Sequence, residues 1–356
     1  MLFRSPLASI QRIDVRLNDF TTTNHLNGSA EIDVDLVIKC PEAGELTNPS
    51  ATLNLSIYPL IFPDNTSMMS WETWEYADLL NPIMSTYSKQ VELAGMGDTD
   101  YITARISLSL ASVDYWSTKR PNLYAVMANL SWEGGQQDQF CTQTGFRNIT
   151  VDGSKLLLNG APLKLAGVSR HEQYPAPTGR TLSDYQHFLD LALINSTGSN
   201  WWRGSYPFHP ITYIHSDRLG LGCWEETPVF WMNEGDFIQG RTRNIFEAYW
   251  IEMVFKDLNR PSILFWGACN EPWAQGPLYE YLDESQAFLN KYDPSRLMGF
   301  ACVSTHHWNQ GFKNLRVCTP NTYGGTFDGV IGDYYGEIAK DRKSTRLNSS
   351  HRIRYR

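Results

Sequence analysis

The stretch ILFWGACNE, residues 263–271, combines an apolar run with a polar ending. Four apolar residues, Ile263 to Trp266, are typical of a strand that is buried on both faces of a parallel sheet. The polar pair Asn270-Glu271 closes the run. Because barrels of parallel strands place reactive side chains at the carboxyl ends of their strands, this pair is a candidate acid/base site. The alternative is a helix cap that follows a core strand.

Strands and helices alternate in the second half of the chain. Apolar stripes at helical spacing predict helices at 183–197, 242–258 and 278–292. Short apolar runs predict strands at 163–168, 297–303 and 315–322. This alternation favours a parallel α/β barrel, which we place at residues 147–340.

Residues 10–146 follow a different pattern. Polar and apolar residues alternate at 30–38 and 101–108, which is the period of half-buried strands. The region therefore predicts an all-β domain, an immunoglobulin-like β-sandwich. Where the two patterns meet, Asn159-Gly160 lies between apolar runs and predicts a two-residue hairpin turn.

Composition limits the classes of protein that the chain can represent. Its 356 residues suffice for two domains that each bury a core. The net charge of −8 argues against nucleic acid binding through a basic surface, and no stretch is apolar enough to predict a membrane span. The six cysteines contain no CxxC pair, so we interpret them as small buried apolar residues rather than a disulfide framework.

Four segments of the barrel region resemble glycoside hydrolase family 2, and they occur in that family's order. Asn-Arg-Pro-Ser precedes the strand that ends in Asn-Glu, within residues 256–272. Residues 145–172 contain Gly-Phe-Arg, Leu-Asn-Gly and Gly-Val-Ser-Arg-His-Glu. Residues 198–207 contain Gly-Ser-Asn-Trp-Trp-Arg, and residues 217–226 run from Asp-Arg-Leu-Gly-Leu to an acidic pair. The family includes β-galactosidases, β-glucuronidases and β-mannosidases.

The resemblance implies a fold and a reaction. The fold is an immunoglobulin-like β-sandwich followed by a TIM (β/α)8 barrel, truncated in this chain. The reaction is retaining hydrolysis of terminal β-linked sugars, β-galactosidase-like, with a carbohydrate substrate and with no membrane partner; the full-length protein could form oligomers. A mechanism that retains the anomeric configuration requires two carboxylates about 5–5.5 Å apart. One acts as the nucleophile and the other as the acid/base.

Roles for individual residues follow from the same resemblance. Glu271 would be the acid/base, and Asn270 would bind the sugar 2-hydroxyl. His171 and Arg203 would hold the sugar and its polar neighbours, and Tyr323 would orient the nucleophile. Glu226 occupies the acidic position at the tip of the third strand and completes the predicted substrate-binding set.

The chain departs from the family pattern at two positions that matter for chemistry. Ser205 is followed directly by Tyr206, where the family has a histidine that contacts a sugar hydroxyl. In some β-galactosidases the carboxylate at the position of Glu226 helps to bind magnesium, and a histidine follows it. Here Thr227 follows instead. Because one carboxylate does not make a site for a hard cation, we predict no metal and no cofactor.

The sequence at both ends of the chain predicts that it is a fragment of a longer protein. Residues 1–9 are interpreted as the remnant of an upstream domain, and residues 341–356 resemble a translated sequencing adapter rather than native protein. The nucleophile is expected on a seventh strand beyond Tyr323 and is therefore absent from this chain. Glu337 is rejected for that role, since it falls at a predicted helix start. The fragment alone is expected to be inactive.

Three alternatives stay open at this point. The protein could be a β-glucuronidase or β-mannosidase of the same family. It could be a non-catalytic carbohydrate-binding relative that keeps the barrel. It could also be another barrel glycosidase that shares Asn-Glu, although the β-sandwich and the Arg-His-Glu segment argue against this last class.

Overall fold

The computed structural model describes residues 8–22, 24–40, 46–61, 78–79, 82–84, 86–93, 100–174, 179, 181–274, 276–302, 317–321 and 354–355. The chain divides into two compact units. The first comprises Met1–Phe146 with Leu258–Pro261, and the second comprises Arg147–Asp257 with Ser262–Arg356. Within the described part, each helix is too short or too polar to cross a membrane.

The first unit is built from two antiparallel sheets. Its strands are β1 (Ser9–Thr22), β2 (Asn27–Lys39), β3 (Ser50–Ile61), β4 (Asp78–Leu79), β5 (Tyr87–Glu92), β6 (Tyr101–Asp114), β7 (Leu123–Trp132) and β8 (Gln136–Thr144), with a 3-10 turn at Glu133–Gly135. One sheet has the order β1-β2-β6, and the other has the order β4-β3-β7-β8 with β5 paired to β3.

The core of this sandwich follows from the alternating pattern of its strands. In β6, Ala104, Ile106, Leu108 and Leu110 are buried, and the residues between them are exposed. On the neighbouring β2, Val34, which pairs with Ile106, is fully buried. Because side chains point to opposite faces of a strand in turn, the period of two places one apolar face in the core. The predicted β-sandwich is confirmed.

A three-stranded meander opens the second unit. It consists of β9 (Ile149–Asp152), β10 (Lys155–Leu158) and β11 (Ala161–Pro162). Leu158 pairs with Ala161 across Asn159 and Gly160, whose φ angles of 55° and 78° are both positive. These features define the predicted two-residue hairpin, since a type I′ turn needs positive φ at both central residues.

Parallel strands and helices alternate through the rest of the second unit. The strands are β12 (Gly167–Arg170), β13 (Trp201–Gly204), β14 (Gly222–Glu226), β15 (Ile263–Asn270), β16 (Leu297–Cys302) and β17 (Val317–Pro320). The helices are α1 (Asp184–Ser196), α2 (Pro210–Leu219), α3 (Glu234–Thr242), α4 (Ile245–Asp257) and α5 (Gly276–Tyr292).

These six strands pair in chain order, and each pairing is parallel. A short β18 (Arg354–Tyr355) adds antiparallel to β17. Parallel strands in sequence order, each followed by a helix, are the arrangement of a (β/α)8 barrel. The described part of the unit contains six strands in this arrangement, which agrees with the predicted barrel fold.

Two local predictions differ from the structure. The first barrel strand is not the buried segment 163–168 but Gly167–Arg170, and its Val168 is 39% exposed. Before this strand, the carboxamide of Asn200 bonds the Lys164 carbonyl and the Ala166 N–H, so a side chain replaces strand pairing there. The predicted helix 242–258 begins only at Ile245, because a separate helix, α3, precedes it.

The hairpin gives the first testable expectation. Gly160→Ala should lower the melting temperature, because a Cβ in the left-handed region costs about 1–2 kcal/mol. Gly276→Ala is the matched control. It lies at the start of α5, and no heavy atom is within 4 Å of the place that an added Cβ would take, so alanine should be neutral or stabilising by about 0.4–1 kcal/mol. Equal effects of both changes in thermal unfolding would contradict the turn assignment.

Candidate active site

Polar side chains meet at the carboxyl ends of four parallel strands. Arg203 lies in β13, Glu226 is the last residue of β14, and Asn270 is the last residue of β15. Glu271 and Asn321 follow directly after β15 and β17. Because the strands are parallel, their ends share one edge of the sheet, and these five residues form one hydrogen-bonded cluster there.

The centre of the cluster is an ion pair between Arg203 and Glu226. Nη2 of Arg203 lies 3.0 and 2.9 Å from the two carboxylate oxygens, and its Nε lies 3.2 Å from Oε2. The indole N–H of Trp224 also donates to Oε2, at 2.8 Å. Glu226 is fully buried. A buried carboxylate is tolerated only when it is paired and hydrogen-bonded, and these donors meet that requirement.

Asn270 extends the pair to the next strand. Its Oδ1 accepts from Nη2 of Arg203 at 2.7 Å and from Nδ2 of Asn321 at 3.0 Å. With the oxygen held by two donors, the NH₂ group points the other way, and Tyr206 is hydrogen-bonded to Asn270. Burial, together with the negative charges of Glu226 and Glu271, raises the pKa of Tyr206 above its usual value.

The carboxylate of Glu271 is held by two N–H donors. Asn321 Nδ2 donates to Oε1 at 2.7 Å, and Trp231 Nε1 donates to Oε2 at 2.9 Å. The backbone N–H of Glu271 donates to Ala301 O at 2.7 Å, and its φ is 47°. A left-handed non-glycine residue costs about 1–3 kcal/mol, a cost commonly found at functional sites. The carboxylate is half-buried and therefore reachable from solvent.

Asn321 and Trp231 are site residues that sequence reasoning did not name. Asn321 bonds three members of the cluster, since its Oδ1 also accepts from Nη1 of Arg203 at 3.2 Å. A polar residue at the end of a predicted strand could have identified it. Trp231 lies in the segment between β14 and α3, and only the folded chain brings it to Glu271.

The other predicted site residues are placed differently. His171 follows β12 and is exposed, and its imidazole is not part of the Arg203 cluster in the described structure. Its neighbour Glu172 accepts from the His209 N–H at 2.8 Å. His209 itself is the N-cap of α2, so it begins a helix. Tyr323 lies outside the described residues.

The magnesium site of some family members does not fit the residues present. Both carboxylate oxygens of Glu226 are already bound by Arg203 and Trp224. Thr227, at the position of the missing histidine, donates its hydroxyl proton to Ala268 O. In the part of the chain that the structure describes, no three His, Cys, Asp or Glu side chains are grouped to hold a metal. Arg203 thus supplies the positive charge beside Glu226.

A cavity of about 560 Å³ lies on the helical side of the second unit. It is lined by residues of α3, α4 and α5 and by Asn244, with an aromatic floor of Phe246, Trp250, Tyr281 and Phe288. None of the cluster residues lines it. The strand-end edge, rather than this cavity, therefore holds the polar constellation that can act on a substrate.

A buried histidine lies behind the first strand end. His187 Nδ1 is 2.8 Å from Thr212 Oγ1, and its ring stacks on His209 with centroids 5.5 Å apart. Burial lowers the pKa of His187 to about 4, and the neighbouring charges of His209 and Arg170 act in the same direction. The side chain is therefore neutral in the folded protein over the physiological pH range.

Comparisons with known proteins identify the family of the chain. A sequence model of glycosyl hydrolases family 2, TIM barrel domain, matches residues 149–328, and a second model, glycosyl hydrolases family 2, matches residues 81–147. Together the two matches cover nearly all of residues 81–328. The chain belongs to glycosyl hydrolases family 2.

Individual relatives are distant. A putative β-glucuronidase of Formosa agariphila is 28% identical over 256 residues, which are 68% of this chain and 30% of that protein. A β-galactosidase of Pectobacterium atrosepticum is 31% identical over 224 residues, 60% of this chain and 20% of that protein. The chain thus spans a third or less of the length of these curated relatives.

Solved structures show the same fold. A putative β-galactosidase from Bacteroides fragilis has a TM-score of 0.76 at 22% identity, over 96% of this chain and 47% of that one. A Bacteroides uniformis β-glucuronidase has a TM-score of 0.72 at 21% identity, over 95% of this chain and 40% of that one.

The ion pair predicts a non-additive effect on stability. Arg203→Met leaves the buried Glu226 carboxylate unpaired and should lower the free energy of unfolding by about 3–5 kcal/mol. Glu226→Gln should lower the free energy of unfolding by less, since the Arg203 side chain keeps partial contact with solvent. The double variant should lose less free energy of unfolding than the two single variants lose in sum. Additive losses in chemical denaturation would contradict a direct interaction.

The buried histidine predicts a pH dependence. Above about pH 6.5, His187 is neutral in both the folded and the unfolded protein and contributes no slope. Between pH 6.5 and about 4, the unfolded chain takes up a proton that the folded protein refuses, so the free energy of unfolding falls as pH falls. The loss should reach about 2 kcal/mol between pH 7 and pH 5.

His187→Gln should reduce this loss, as measured by urea denaturation at both pH values. The reduction should be partial, because burial also lowers the pKa of His215. A variant that loses as much stability as the wild type on acidification would show that His187 is not the group that titrates.

Proposed function

We propose that the protein to which this chain belongs is a retaining exo-β-glycosidase, most similar in activity to the β-galactosidases. The observation that carries the proposal is the placement of Glu271. Its two carboxylate oxygens accept from Asn321 and Trp231, and the adjacent Asn270 is fixed by Arg203. A carboxyl group fixed at a strand end and reachable from solvent suits proton transfer to a glycosidic oxygen.

In the proposed mechanism, Glu271 first acts as an acid. Its carboxyl group donates a proton to the leaving oxygen, and the resulting carboxylate then removes a proton from the incoming water. Asn270 donates from its NH₂ group to the 2-hydroxyl of the sugar, a hydrogen bond that strengthens as the oxocarbenium-like transition state forms. Arg203 and Asn321 keep the Asn270 oxygen occupied, which aims the NH₂ group at the sugar.

Glu226 is unsuited to the role of nucleophile. Its two oxygens are bound by Arg203 and Trp224, and the residue is fully buried. Following the family resemblance, we place the nucleophile on a seventh barrel strand of the longer protein, beyond Tyr323. On this proposal the 356-residue chain alone hydrolyses nothing.

The charge of the cluster favours a neutral sugar. Arg203 is balanced by Glu226, so the described site offers no uncompensated positive charge to the carboxylate of a glucuronide. The β-galactosidase relative, at 31% identity, agrees with this assignment. β-Glucuronidase is the second candidate, because the relative that matches the larger share of the chain is named a putative β-glucuronidase.

A substrate panel tests the proposed specificity. The full-length protein should be assayed on the nitrophenyl β-galactoside, β-glucuronide and β-mannoside. The galactoside should give the largest kcat/KM. If the glucuronide or the mannoside is hydrolysed faster, the protein is a β-glucuronidase or a β-mannosidase instead. If no glycoside is hydrolysed, the result favours a carbohydrate-binding relative without catalytic activity.

Glu271→Gln in the full-length protein tests the acid/base role. Turnover of a substrate with a poor leaving group, such as a disaccharide, should fall by about 10²–10⁴, because the transition state there needs the proton. A nitrophenyl glycoside should lose less in its glycosylation step, and added azide should restore part of its turnover by replacing base-activated water.

The matched control for this experiment is Glu284→Gln. Glu284 is an exposed carboxylate on α5 that pairs with Arg241, so this change should leave turnover unchanged. Equal losses on both substrates without azide rescue would remove Glu271 from the acid/base role.

A further inference from the structure

Two large indole side chains next to Glu271 are exposed. Trp231 is 61% exposed and Trp273 is 64% exposed. Their ring centroids lie 6.5 Å apart with an angle of 89° between the planes, so the two rings form a corner. Large aromatic side chains are usually buried for most of their area, and exposed ones that adjoin each other commonly mark a binding site.

The two rings are held by backbone hydrogen bonds rather than by loose surface loops. The N–H of Trp231 donates to Asn270 O at 3.0 Å, and the N–H of Trp273 donates to Met232 O at 2.9 Å. The N–H of Asn270 donates to Val229 O at 2.9 Å. The segment after β14 is therefore bonded along the segment that carries Glu271, which fixes the corner relative to this carboxylate.

The ring of Trp231 has one edge bonded to Glu271 and one face exposed to solvent. The indole N–H donates to Glu271 Oε2 at 2.9 Å, which occupies the polar edge of the ring. Because most of the side chain is exposed, a ring face is open to solvent. Phe230, 51% exposed, extends the aromatic surface and packs on Tyr206 with centroids 5.2 Å apart.

The chemistry of an acid/base decides which part of a substrate this corner meets. An acid protonates the oxygen that joins the sugar to its leaving group, so the leaving group lies on the side of the acid. The sugar that is cleaved lies toward Asn270 and Arg203, whose polar groups suit its hydroxyls. Trp231, which donates to Glu271, and Trp273, which packs against Trp231, therefore adjoin the leaving group.

On the basis of the proposed function, we infer that Trp231 and Trp273 form the leaving-group subsite and select a ring-shaped leaving group. The ligand has a flat apolar face, either a second sugar that stacks its C–H face or an aryl group. Trp231 is in addition a positioning residue for Glu271. A methyl group, which is too small to meet both walls of the corner, gains little from either ring.

The test compares leaving groups on one sugar in the full-length protein. The substrates are the methyl glycoside, the phenyl glycoside and a disaccharide with the same terminal sugar. Trp273→Ala should lower kcat/KM for the phenyl glycoside and the disaccharide about two- to tenfold, the worth of one aromatic contact, and leave the methyl glycoside unchanged. A loss on only one ring-shaped substrate identifies whether aryl or sugar rings are bound.

Trp231→Phe separates the two tasks of Trp231. It keeps a ring face but removes the N–H donor, so it should lower kcat on the disaccharide while KM for ring-shaped substrates stays near the wild-type value. Trp231→Ala should change both parameters. Tyr185→Ala is the matched control, because Tyr185 is an exposed aromatic residue on α1. It should leave the ratio of kcat/KM between ring-shaped and methyl substrates unchanged. For Trp273→Ala, equal losses on methyl and ring-shaped substrates would overturn the inference.

A binding measurement keeps this inference separate from the proposed activity. Calorimetric titration of the full-length protein with phenyl and methyl thioglycosides needs no turnover. Wild type should bind the phenyl compound more tightly, and Trp273→Ala should reduce that preference. If the preference is present without hydrolysis, the subsite stands and the glycosidase proposal fails. If hydrolysis occurs but the preference is absent or insensitive to Trp273, the subsite is wrong.

Discussion

The ion pair between Arg203 and the fully buried Glu226 is the interaction on which the site depends. A buried carboxylate needs a positive partner, and the partner available here comes from the neighbouring strand. Once Arg203 is committed to Glu226, its remaining N–H donors fix Asn270 and Asn321. These two carboxamides then determine where Glu271 can lie, because Asn321 donates to its Oε1. One compensated charge thus orders side chains from β13, β14, β15 and the end of β17.

The same pair places a positive charge beside Glu226. The guanidinium group of Arg203 bonds both oxygens of Glu226. A guanidinium group is permanently charged and presents its donors in a fixed plane, so it holds the carboxylate in one orientation. Thr227, at the position of the following histidine, donates its hydroxyl to Ala268 O.

Much of the fold could be predicted because its signals are local. The alternation in β6, the Asn159-Gly160 turn and the apolar run of β15 each follow from a few neighbouring residues. The family resemblance then gave the order of domains. The missed helix α3 has no comparable apolar stripe, and its start is set by a capping box between Asn233 and Asp236.

The site was predictable only in part, because some of its contacts join residues that are far apart in the sequence. The strand pattern identified Asn270 and Glu271, and the family resemblance identified Arg203 and Glu226. The structure brings these residues together because parallel strands share one edge at their carboxyl ends. Trp231 could not be found in this way, since its contact with Glu271 spans 40 residues and depends on how the segment after β14 turns. His171 shows the converse. Its position at a strand end was correct, yet its side chain is outside the described cluster.

The central claim is that Glu271 delivers a proton to a glycosidic oxygen while Asn270 holds the same sugar. The most direct measurement is a crystal structure of the full-length Glu271→Gln variant with an uncleaved β-glycoside. The account predicts that the glycosidic oxygen lies within about 3 Å of the side chain at position 271, with the 2-hydroxyl on Asn270. A sugar bound at another edge of the barrel, or with its glycosidic oxygen turned away from position 271, would contradict it.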